Sequence, residues 1–284
     1  IKDDIRSLKK DYFKNVYCVI DLAAISNDPS GEIFKKETFD INFRARLRNA
    51  KISKHMNVKK YLLPSSCSNY GRIRNDQIAD ETFKLKPLTN YSKANSMAES
   101  SILKLNTKNF NPTVFRQGTL FGCSPRLRLD LAINGMTYGI FKNNKLPVMR
   151  DGNQRRPMLH MKDALRAMKF FIENDYQLGG EIFNVGSNEN NYSINDLIAI
   201  FKKKIRKKFK LEWYGSPDKR SYFVSFDKIS SIGFKAKYNA KNGIDDLLKY
   251  FKKNKTIQKK ENITLEWYRE LEKWNNIIQE VSKD

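Results

Sequence analysis

YLLPSSCSNYG at positions 61–71, followed by PLTNYSKANSMAES at 87–100, is the stretch that indicates the fold of this chain. Its apolar run breaks at Pro64 into two serines, which is typical of a buried parallel strand where it leaves its sheet. Tyr91 then opens a segment with apolar residues at helical spacing, namely Ala94, Met97, Ala98, Ile102, Leu103 and Leu105. Open α/β sheets keep their chemistry at the edge where such strands end. The hydroxyl of Ser66 and the phenol of Tyr91 are therefore expected to converge on one substrate atom.

The bulk composition fits a folded protein that works in a reducing compartment. The 284 residues, 40% of them hydrophobic and 12% aromatic, are enough to bury one large core or two modest ones. Cys18, Cys67 and Cys123 lie far apart without CxxC spacing, which argues against a disulfide framework or a zinc site. No apolar run approaches the roughly 20 residues that a membrane helix needs. We therefore expect a soluble cytoplasmic protein with no metal site and no membrane partner.

The net charge of +23 raises the alternative of a nucleic-acid-binding protein. Basic residues are dense only at 201–210 (FKKKIRKKFK) and 251–260 (FKKNKTIQKK), which read as exposed helix ends. Elsewhere lysine accompanies abundant Asn and Ile, a pattern that AT-rich coding also produces. Because no nucleic-acid-binding module accompanies the two dense runs, we favour solvated surfaces over a phosphate-binding groove.

Strands and helices alternate along the first part of the chain. The patterns predict strands at 15–24, 59–66 and 111–121, and helices at 36–55 and 91–106. This rhythm is typical of a parallel sheet covered on both faces. Later segments predict a smaller lobe. Its expected elements are helices at 128–142 and 161–174, strands at 145–149 and 181–186, a helix after the N-cap Ser193, strands within 208–234, and two helices from 242 onward.

The segments SSCSNYG and PLTNYSKANSMAE, then FRQGTLFG, DGNQRRPMLHMKDAL and FNVGS, carry a family resemblance. In this order they resemble the extended short-chain dehydrogenase/reductases, the NAD-dependent epimerases and dehydratases of nucleotide sugars. The resemblance extends to about residue 250. It implies a Rossmann-like doubly wound parallel sheet in 1–124, lacking its first βαβ unit, and a smaller α+β substrate lobe in 125–284, with 150–187 partly returning to the first domain. It also implies NAD or NADP, a nucleoside-diphosphate sugar, and a homodimer formed through 36–55 and 91–106.

The resemblance assigns the catalytic roles to Ser66, Tyr91 and Asn95. In the family a tyrosine phenolate removes the proton of the sugar hydroxyl, while a serine or threonine hydrogen-bonds the same oxygen. A lysine four residues after the tyrosine normally stabilises the phenolate, and here that position is Asn95. Lys93 lies two residues from Tyr91 and so on roughly the opposite side of the helix. We expect impaired proton abstraction.

Other positions match family sites for cofactor and substrate. The cofactor positions are Asp4, Ile5, Leu22, Ala23, Ala24, Asn42, Gln117 and Gly118, and the substrate positions are Cys67, Ser68, Thr119, Arg156 and Arg220. Asn42 fits a satisfied structural residue equally well. No glycine-rich phosphate loop precedes Asp4, and the chain begins with Ile1. Either its beginning has been cut off or the protein has lost dinucleotide binding.

The residues after Ser66 bear on the reaction. Sugar 4,6-dehydratases of the family carry Asp-Glu there, whereas this chain has Cys67 and Ser68. This favours 4-epimerisation or keto reduction over dehydration. Two alternatives stay open: a non-catalytic relative that keeps the fold for binding or assembly, and a basic nucleic-acid-binding protein. The sequence leaves open the sugar, the base, and the choice between NAD and NADP.

Overall fold

The computed structural model describes residues 1–174, 179–254 and 260–281. The strands are β1 (Cys18–Ile20), β2 (Lys60–Ser66), β3 (Asn111–Gln117), β4 (Thr119–Phe121), β5 (Lys145–Met149), β6 (Arg155–His160), β7 (Glu181–Val185), β8 (Asn191–Ser193) and β9 (Lys210–Tyr214). The helices are α1 (Asp28–Ile33), α2 (Lys35–Phe39), α3 (Arg46–His55), α4 (Asn90–Leu103), α5 (Ala132–Asn143), α6 (Met161–Glu173), α7 (Ile194–Lys204), α8 (Asp227–Ser231), α9 (Ala240–Lys253) and α10 (Thr264–Val281).

The main sheet has the strand order β1-β2-β3-β7, and all of its pairs are parallel. This confirms the predicted parallel α/β sheet. Ser66 pairs in register with Gln117, so the last residues of β2 and β3 lie side by side at the carboxyl edge. Two residues that the sequence assigned to one site therefore share that edge.

Both faces of the main sheet are covered, as the unbroken apolar run in β2 predicted. Tyr61 and Leu63 pack with the helices on one side, in the cluster that contains Ala98 and Ile102 of α4. Leu62 lies on the opposite face, in the cluster that contains Phe171 of α6. Consecutive residues of a strand point to opposite faces, so burial of all three requires helices on both sides.

The predicted strand at 111–121 is two strands in different sheets. The chain breaks at Gly118, whose N–H donates to the carbonyl of Val185, and β4 then pairs with β6. A Cβ atom at residue 118 would lie 3.1 Å from the carbonyl oxygen of Pro157, so glycine permits this close approach. An apolar run does not reveal such a break, because the pattern continues across it.

The predicted helix at 36–55 is also divided. It consists of α2, a π-helical segment at Asp40–Ala45, and α3. Single π-helical insertions are frequent at functional sites. The insertion here immediately precedes Arg46, a buried residue at the candidate site.

The smaller lobe contains β6 between β4 and β8, and a separate pair of β5 with β9. The strand β6 was not predicted, and the segment 208–234 forms only one named strand, β9, with isolated bridges at Ser221 and Val224 and the helix α8. Strand β7 lies in the main sheet, although its sequence follows that of β6. The proposed division of the chain after residue 124 stays a prediction. Among the described residues, no helix is long and apolar enough to cross a membrane.

Candidate functional site

The hydroxyl groups of Ser66 and Tyr91 meet at the carboxyl edge of the main sheet. Ser66 ends β2, and its Oγ accepts a hydrogen bond of 3.1 Å from the N–H of Ser68. Thr89 caps α4 through a reciprocal capping box with Ser92, and this fixes the first turn that carries Tyr91. The side chains of Ser66 and Asn95 lie close enough to Tyr91 to lower the pKa of its phenol. The two hydroxyls are therefore near each other, and their action on one substrate atom stays a prediction.

Tyr91 retains its proton at neutral pH in this arrangement. Burial raises the pKa of the Tyr91 phenol above its ordinary value, and the carboxylate of Asp28 adds to the rise. The charge of Arg46 and the hydrogen bonds from Asn95 and Ser66 oppose it without cancelling it. A substrate or cofactor that changes the local charge would therefore change the fraction of phenolate.

Arg46 is a component of this site that sequence reasoning missed. Its side chain is only 3% exposed, and its Nη1 donates a hydrogen bond of 3.2 Å to Oδ1 of Asn95. Lys93 is exposed, as its spacing from Tyr91 predicted. The charged residue next to Asn95 thus comes from α3 and not from α4. The sequence could have indicated Arg46 only through its position among apolar residues of the predicted helix.

Two side chains and the end of β1 hold Arg46 in place. Its Nε lies 3.7 Å from Oδ1 of Asp21 and 3.2 Å from the carbonyl oxygen of Ala23. The hydroxyl of Tyr61 donates to Oδ2 of Asp21 at 2.5 Å. Burial raises the pKa of Asp21, while Arg46 and the hydrogen bond from Tyr61 act against that rise. Asp21 stands where the family commonly has histidine.

A second buried network fixes α4 against the sheet. The carboxylate of Glu99 accepts from Ser65 at 2.5 Å and from Asn69 at 2.7 Å through Oε1. Its Oε2 accepts from Nη2 of Arg116 at 2.8 Å and from Nε at 3.1 Å. These contacts give Arg116 a structural role. Since Ser65 adjoins Ser66 and Glu99 lies on the helix of Tyr91, this network sets the separation of the two reacting hydroxyls.

The end of β1 lies beside a cavity of about 340 Å³. Ile5, Leu22 and Ala23 line it, together with Asp21, and both Leu22 and Ala23 are exposed. Asp4 does not line it, because its carboxylate turns to the guanidinium of Arg6, whose hydrogen bonds lower the pKa of Asp4 to about 2. Ala24 is half-buried behind this strand end. Of the predicted cofactor positions, Ile5, Leu22 and Ala23 therefore share this cavity.

Asn42 has a structural role in this fold. Its Oδ1 accepts from the N–H of Ile25 and its Nδ2 donates to the carbonyl of the same residue, each at 2.9 Å. The side chain is fully buried. Asn42 thus supports the loop after β1, and its assignment as a cofactor contact stays a prediction.

The end of β3 offers an amide to this edge of the sheet. Gln117 is half-buried, and its Nε2 has no hydrogen-bond partner within the part of the chain that the structure describes. Gly118 follows it, and Thr119 pairs with Met158 in β4. An unsatisfied buried donor is costly, so the Gln117 amide is suited to accept a ligand as its partner.

Cys67 and Ser68 turn into the core. The thiol of Cys67 is 1% exposed and donates to the carbonyl of Arg116 at 3.2 Å, and burial raises its pKa. Ser68 is buried too, and its N–H is used by Ser66. The two residues form the turn after β2, the Oγ of Ser68 has no hydrogen-bond partner among the described residues, and their contact with substrate stays a prediction. The low weight given to Cys67 as a nucleophile is consistent with this.

Arg156 and Arg220 converge on one carboxylate. Nη2 of Arg156 lies 2.7 Å from Oδ2 of Asp218, and Nη2 of Arg220 lies 2.6 Å from the same oxygen. Arg220 also forms an ion pair with Asp28, the carboxylate that raises the pKa of Tyr91. The two guanidinium groups are thus joined to the site of Tyr91, and the alternative of isolated surface ion pairs does not describe them.

The two histidines stand apart from the chemistry. His160 is 1% exposed, accepts the N–H of Lys162 as the N-cap of α6, and stacks on Tyr238. His55 is exposed at the end of α3. Within residues 1–174, 179–254 and 260–281, no group of His, Cys, Asp or Glu could hold a metal ion.

Comparisons with known proteins match this geometry to nucleotide-sugar enzymes. UDP-glucuronate 4-epimerase of Thermodesulfobacterium geofontis is 29% identical over 175 residues, which are 61% of this chain and 52% of that relative. This chain thus spans about half the length of that relative. A putative UDP-glucose 4-epimerase of Methanocaldococcus jannaschii is 22% identical over 264 residues, covering 89% of this chain and 84% of the relative.

Solved structures share the fold at lower identity. MoeE5 in complex with UDP-glucuronic acid and NAD is 22% identical, with a TM-score of 0.79 over 89% of this chain and 85% of that chain. UDP-glucuronic acid 4-epimerase of Bacillus cereus, in complex with UDP-glucuronic acid and NAD, is 21% identical, with a TM-score of 0.79 over 89% of this chain and 81% of that chain. The family model described as the NAD dependent epimerase/dehydratase family matches residues 3–186. This chain therefore belongs to the NAD-dependent epimerase/dehydratase family and has its Rossmann-like fold.

Proposed function

We propose that this protein is an NAD(P)-dependent 4-epimerase or keto-reductase of a nucleotide sugar. The observation that carries the proposal is that Ser66, the last residue of β2 at the carboxyl edge of the parallel sheet, lies close enough to Tyr91 to lower the pKa of its phenol. Sequence relatives named as UDP-glucuronate and UDP-glucose 4-epimerases support it. The absence of Asp-Glu after Ser66 favours these reactions over dehydration.

The two hydroxyls have distinct tasks in this proposal. The hydroxyl of Ser66, which accepts the N–H of Ser68, is proposed to donate to the oxygen of a sugar hydroxyl when substrate is bound. Tyr91, as phenolate, takes the proton of that sugar hydroxyl while the carbon below it loses a hydride. Asn95 donates to the phenolate oxygen and stabilises it. Positioned proton transfer of this kind contributes about 10²–10⁴-fold to rate.

The residues around the cavity are suited to contact a flat ring of the dinucleotide. Leu22 and Ala23 leave an exposed apolar strand end, and Gln117 presents an amide with no partner in the described chain. When bound, NAD or NADP supplies the hydride acceptor and donor. Ile5 is proposed to contact the adenine side of the cavity, and Thr119 the substrate side. Sequence reasoning did not decide between the two cofactors, and we propose both as candidates.

Arg156 and Arg220 are proposed to hold the diphosphate of the sugar nucleotide. Arginine pairs bidentately with phosphate oxygens, and these two guanidinium groups already share the carboxylate of Asp218. A diphosphate would then compete with Asp218. We also propose a cytoplasmic homodimer formed through 36–55 and 91–106, which light scattering at increasing concentration would detect.

Titration with NAD, NADP and a panel of UDP-sugars, followed by assay of turnover, tests the proposed function. We expect sugar-nucleotide binding and slow epimerisation or reduction. Tyr91→Phe should abolish turnover and leave the dissociation constant within about threefold, and Ser66→Ala should reduce turnover by about 10²-fold. Equal turnover in Tyr91→Phe and the unaltered protein would refute the assignment. Binding without any turnover would favour the non-catalytic alternative, which Asn95 and the raised pKa of Tyr91 also favour.

A further inference from the structure

Resting on the function proposed above, we infer that Arg46 is a positioning residue that supplies, through Asn95, the positive charge for the Tyr91 phenolate. The resemblance leads us to expect this positive charge on a lysine of α4, at the position of Asn95, whereas here it lies on Arg46 of α3. Arg46 does not touch the phenol oxygen. We place its influence through the amide of Asn95, which accepts a hydrogen bond from Arg46 and whose side chain lowers the pKa of Tyr91.

The burial of Arg46 needs a reason beyond packing. A guanidinium that is 3% exposed has lost its hydration, and a buried charge is costly even when paired. Arg46 has a carboxylate partner in Asp21, but the closest approach of 3.7 Å is longer than a charge-assisted hydrogen bond. Its shorter contacts, each 3.2 Å, are with Ala23 and Asn95. Arg46 thus donates three hydrogen bonds, two to the backbone carbonyls of Ala23 and Asp21 and one to the side chain of Asn95.

The contact with Arg46 also fixes the orientation of Asn95. An arginine donates only, so the oxygen of the Asn95 amide must face Nη1. The amide nitrogen is then the end of Asn95 that can donate to the phenol of Tyr91, which lies four residues earlier in α4. A neighbouring cation polarises this amide and strengthens its donation, because hydrogen bonds in series reinforce one another in a medium of low dielectric constant. Asn95, with Arg46 hydrogen-bonded to its oxygen, therefore acts on the phenol of Tyr91 as a cation one residue further away would.

The remaining charged groups near Tyr91 affect the pKa of its phenol directly or through Arg46. Asp28 of α1 raises the pKa of Tyr91 and is itself paired with Arg220. Asp21 lies on the far side of Arg46 and partly neutralises it. Lys93, the other cation near Tyr91 in sequence, is exposed and contributes nothing to this balance.

The first test is a spectrophotometric titration of Tyr91, taken as the difference between each protein and its Tyr91→Phe counterpart. Arg46→Met removes the charge and keeps the volume, and we expect the pKa of Tyr91 to rise by about one unit. Arg46→Lys is the matched control that keeps the charge and should restore at least half of this shift. A shift of less than about 0.2 units in Arg46→Met would overturn the inference.

A second variant reverses the sign and needs no loss of Arg46. Asp21→Asn removes the carboxylate that neutralises Arg46, so the pKa of Tyr91 should fall by a similar amount. An arginine that merely fills space predicts no fall. If Arg46→Met does not fold, Asp21→Asn alone decides, and an unchanged pKa there refutes the inference.

The pH profile of turnover separates this inference from the proposed function. In Arg46→Met the rising limb of kcat against pH should move upward with the pKa of Tyr91, and addition of Asn95→Lys should move it back. A Tyr91 pKa that responds to both variants, in a protein with no turnover on any UDP-sugar, would uphold the role of Arg46 and refute the enzyme. Turnover with a rising limb that stays at the same pH in Arg46→Met would support the enzyme and refute the role of Arg46.

Discussion

Replacing Glu99 by glutamine should be among the most damaging single changes to this fold, and to the placement of Tyr91. The Glu99 and Arg116 side chains are 2% and 4% exposed, and two hydrogen bonds of 2.8 and 3.1 Å join them. Glutamine can still accept from Ser65 or Asn69, but it leaves the guanidinium without a counter-charge. Removing one partner of a buried pair costs about 3–5 kcal/mol. For a chain of this size that corresponds to a fall in Tm of about 10 °C.

Urea unfolding followed by tryptophan fluorescence and circular dichroism measures this loss. The control is the double variant Glu99→Leu with Arg116→Met, which removes both charges and fills a similar volume. It should unfold at a higher urea concentration than Glu99→Gln, because no charge is left unpaired. A loss below about 1 kcal/mol, as exposed ion pairs give, would refute the idea that this network holds α4 on β2. So would a double variant less stable than the single one.

Three further changes address the site directly. Gly31→Ala would place a Cβ atom 3.0 Å from Cβ of Tyr91 and 3.1 Å from its nitrogen. We therefore expect the free energy of unfolding to fall by about 1–3 kcal/mol, as unfolding experiments would measure. The loss of turnover, measured by kinetics, should be larger than any loss of sugar-nucleotide affinity, measured by calorimetry. Asp28→Asn should lower the pKa of Tyr91, because the carboxylate raises it, and the rising limb of the pH profile should move to lower pH; an unmoved limb would contradict this. Burial raises the pKa of Cys18 to about 11 and that of Cys67 further, so iodoacetamide at pH 8 should label both slowly in the folded protein and quickly in urea, as mass spectrometry would report.

The reacting pair could be predicted from sequence because its signals are local. The apolar run of β2 ends at Pro64 and the serines, and Thr89 and Ser92 cap the helix that presents Tyr91. Parallel strands end at one edge, so placing Ser66 near Tyr91 needed only the order of strand and helix. The register of β2 and β3 places Gln117 beside Ser66, which sequence reasoning had not predicted.

The rest required distances that no local pattern contains. Asn42 and Cys67 match family positions, yet the side chain of each is satisfied by backbone groups, which depends on loops elsewhere in the chain. Arg46 looked like one more basic residue on a helix of a protein rich in lysine and arginine. Its burial depends on Asp21 and on the π-helical segment before it, neither of which has a sequence signal of its own.

Two features near Tyr91, the buried charge of Arg46 and the buried amide of Gln117, favour an active enzyme over a scaffold. A protein that keeps this fold only for assembly gains nothing from a buried arginine, since a hydrophobic residue of similar volume is often as stable or more so. Nor does it gain from an amide on Gln117 without a partner among the described residues. Both features oppose stability, and both lie at the edge where Ser66 and Tyr91 meet. Groups that oppose stability tend to persist at functional sites, where strain and unsatisfied polar atoms are part of the mechanism. If Arg46→Met and Gln117→Leu each stabilise the fold and abolish turnover, these residues serve the reaction at the expense of stability. If they stabilise the fold and leave the binding of every ligand unchanged, the protein is a scaffold and not an enzyme.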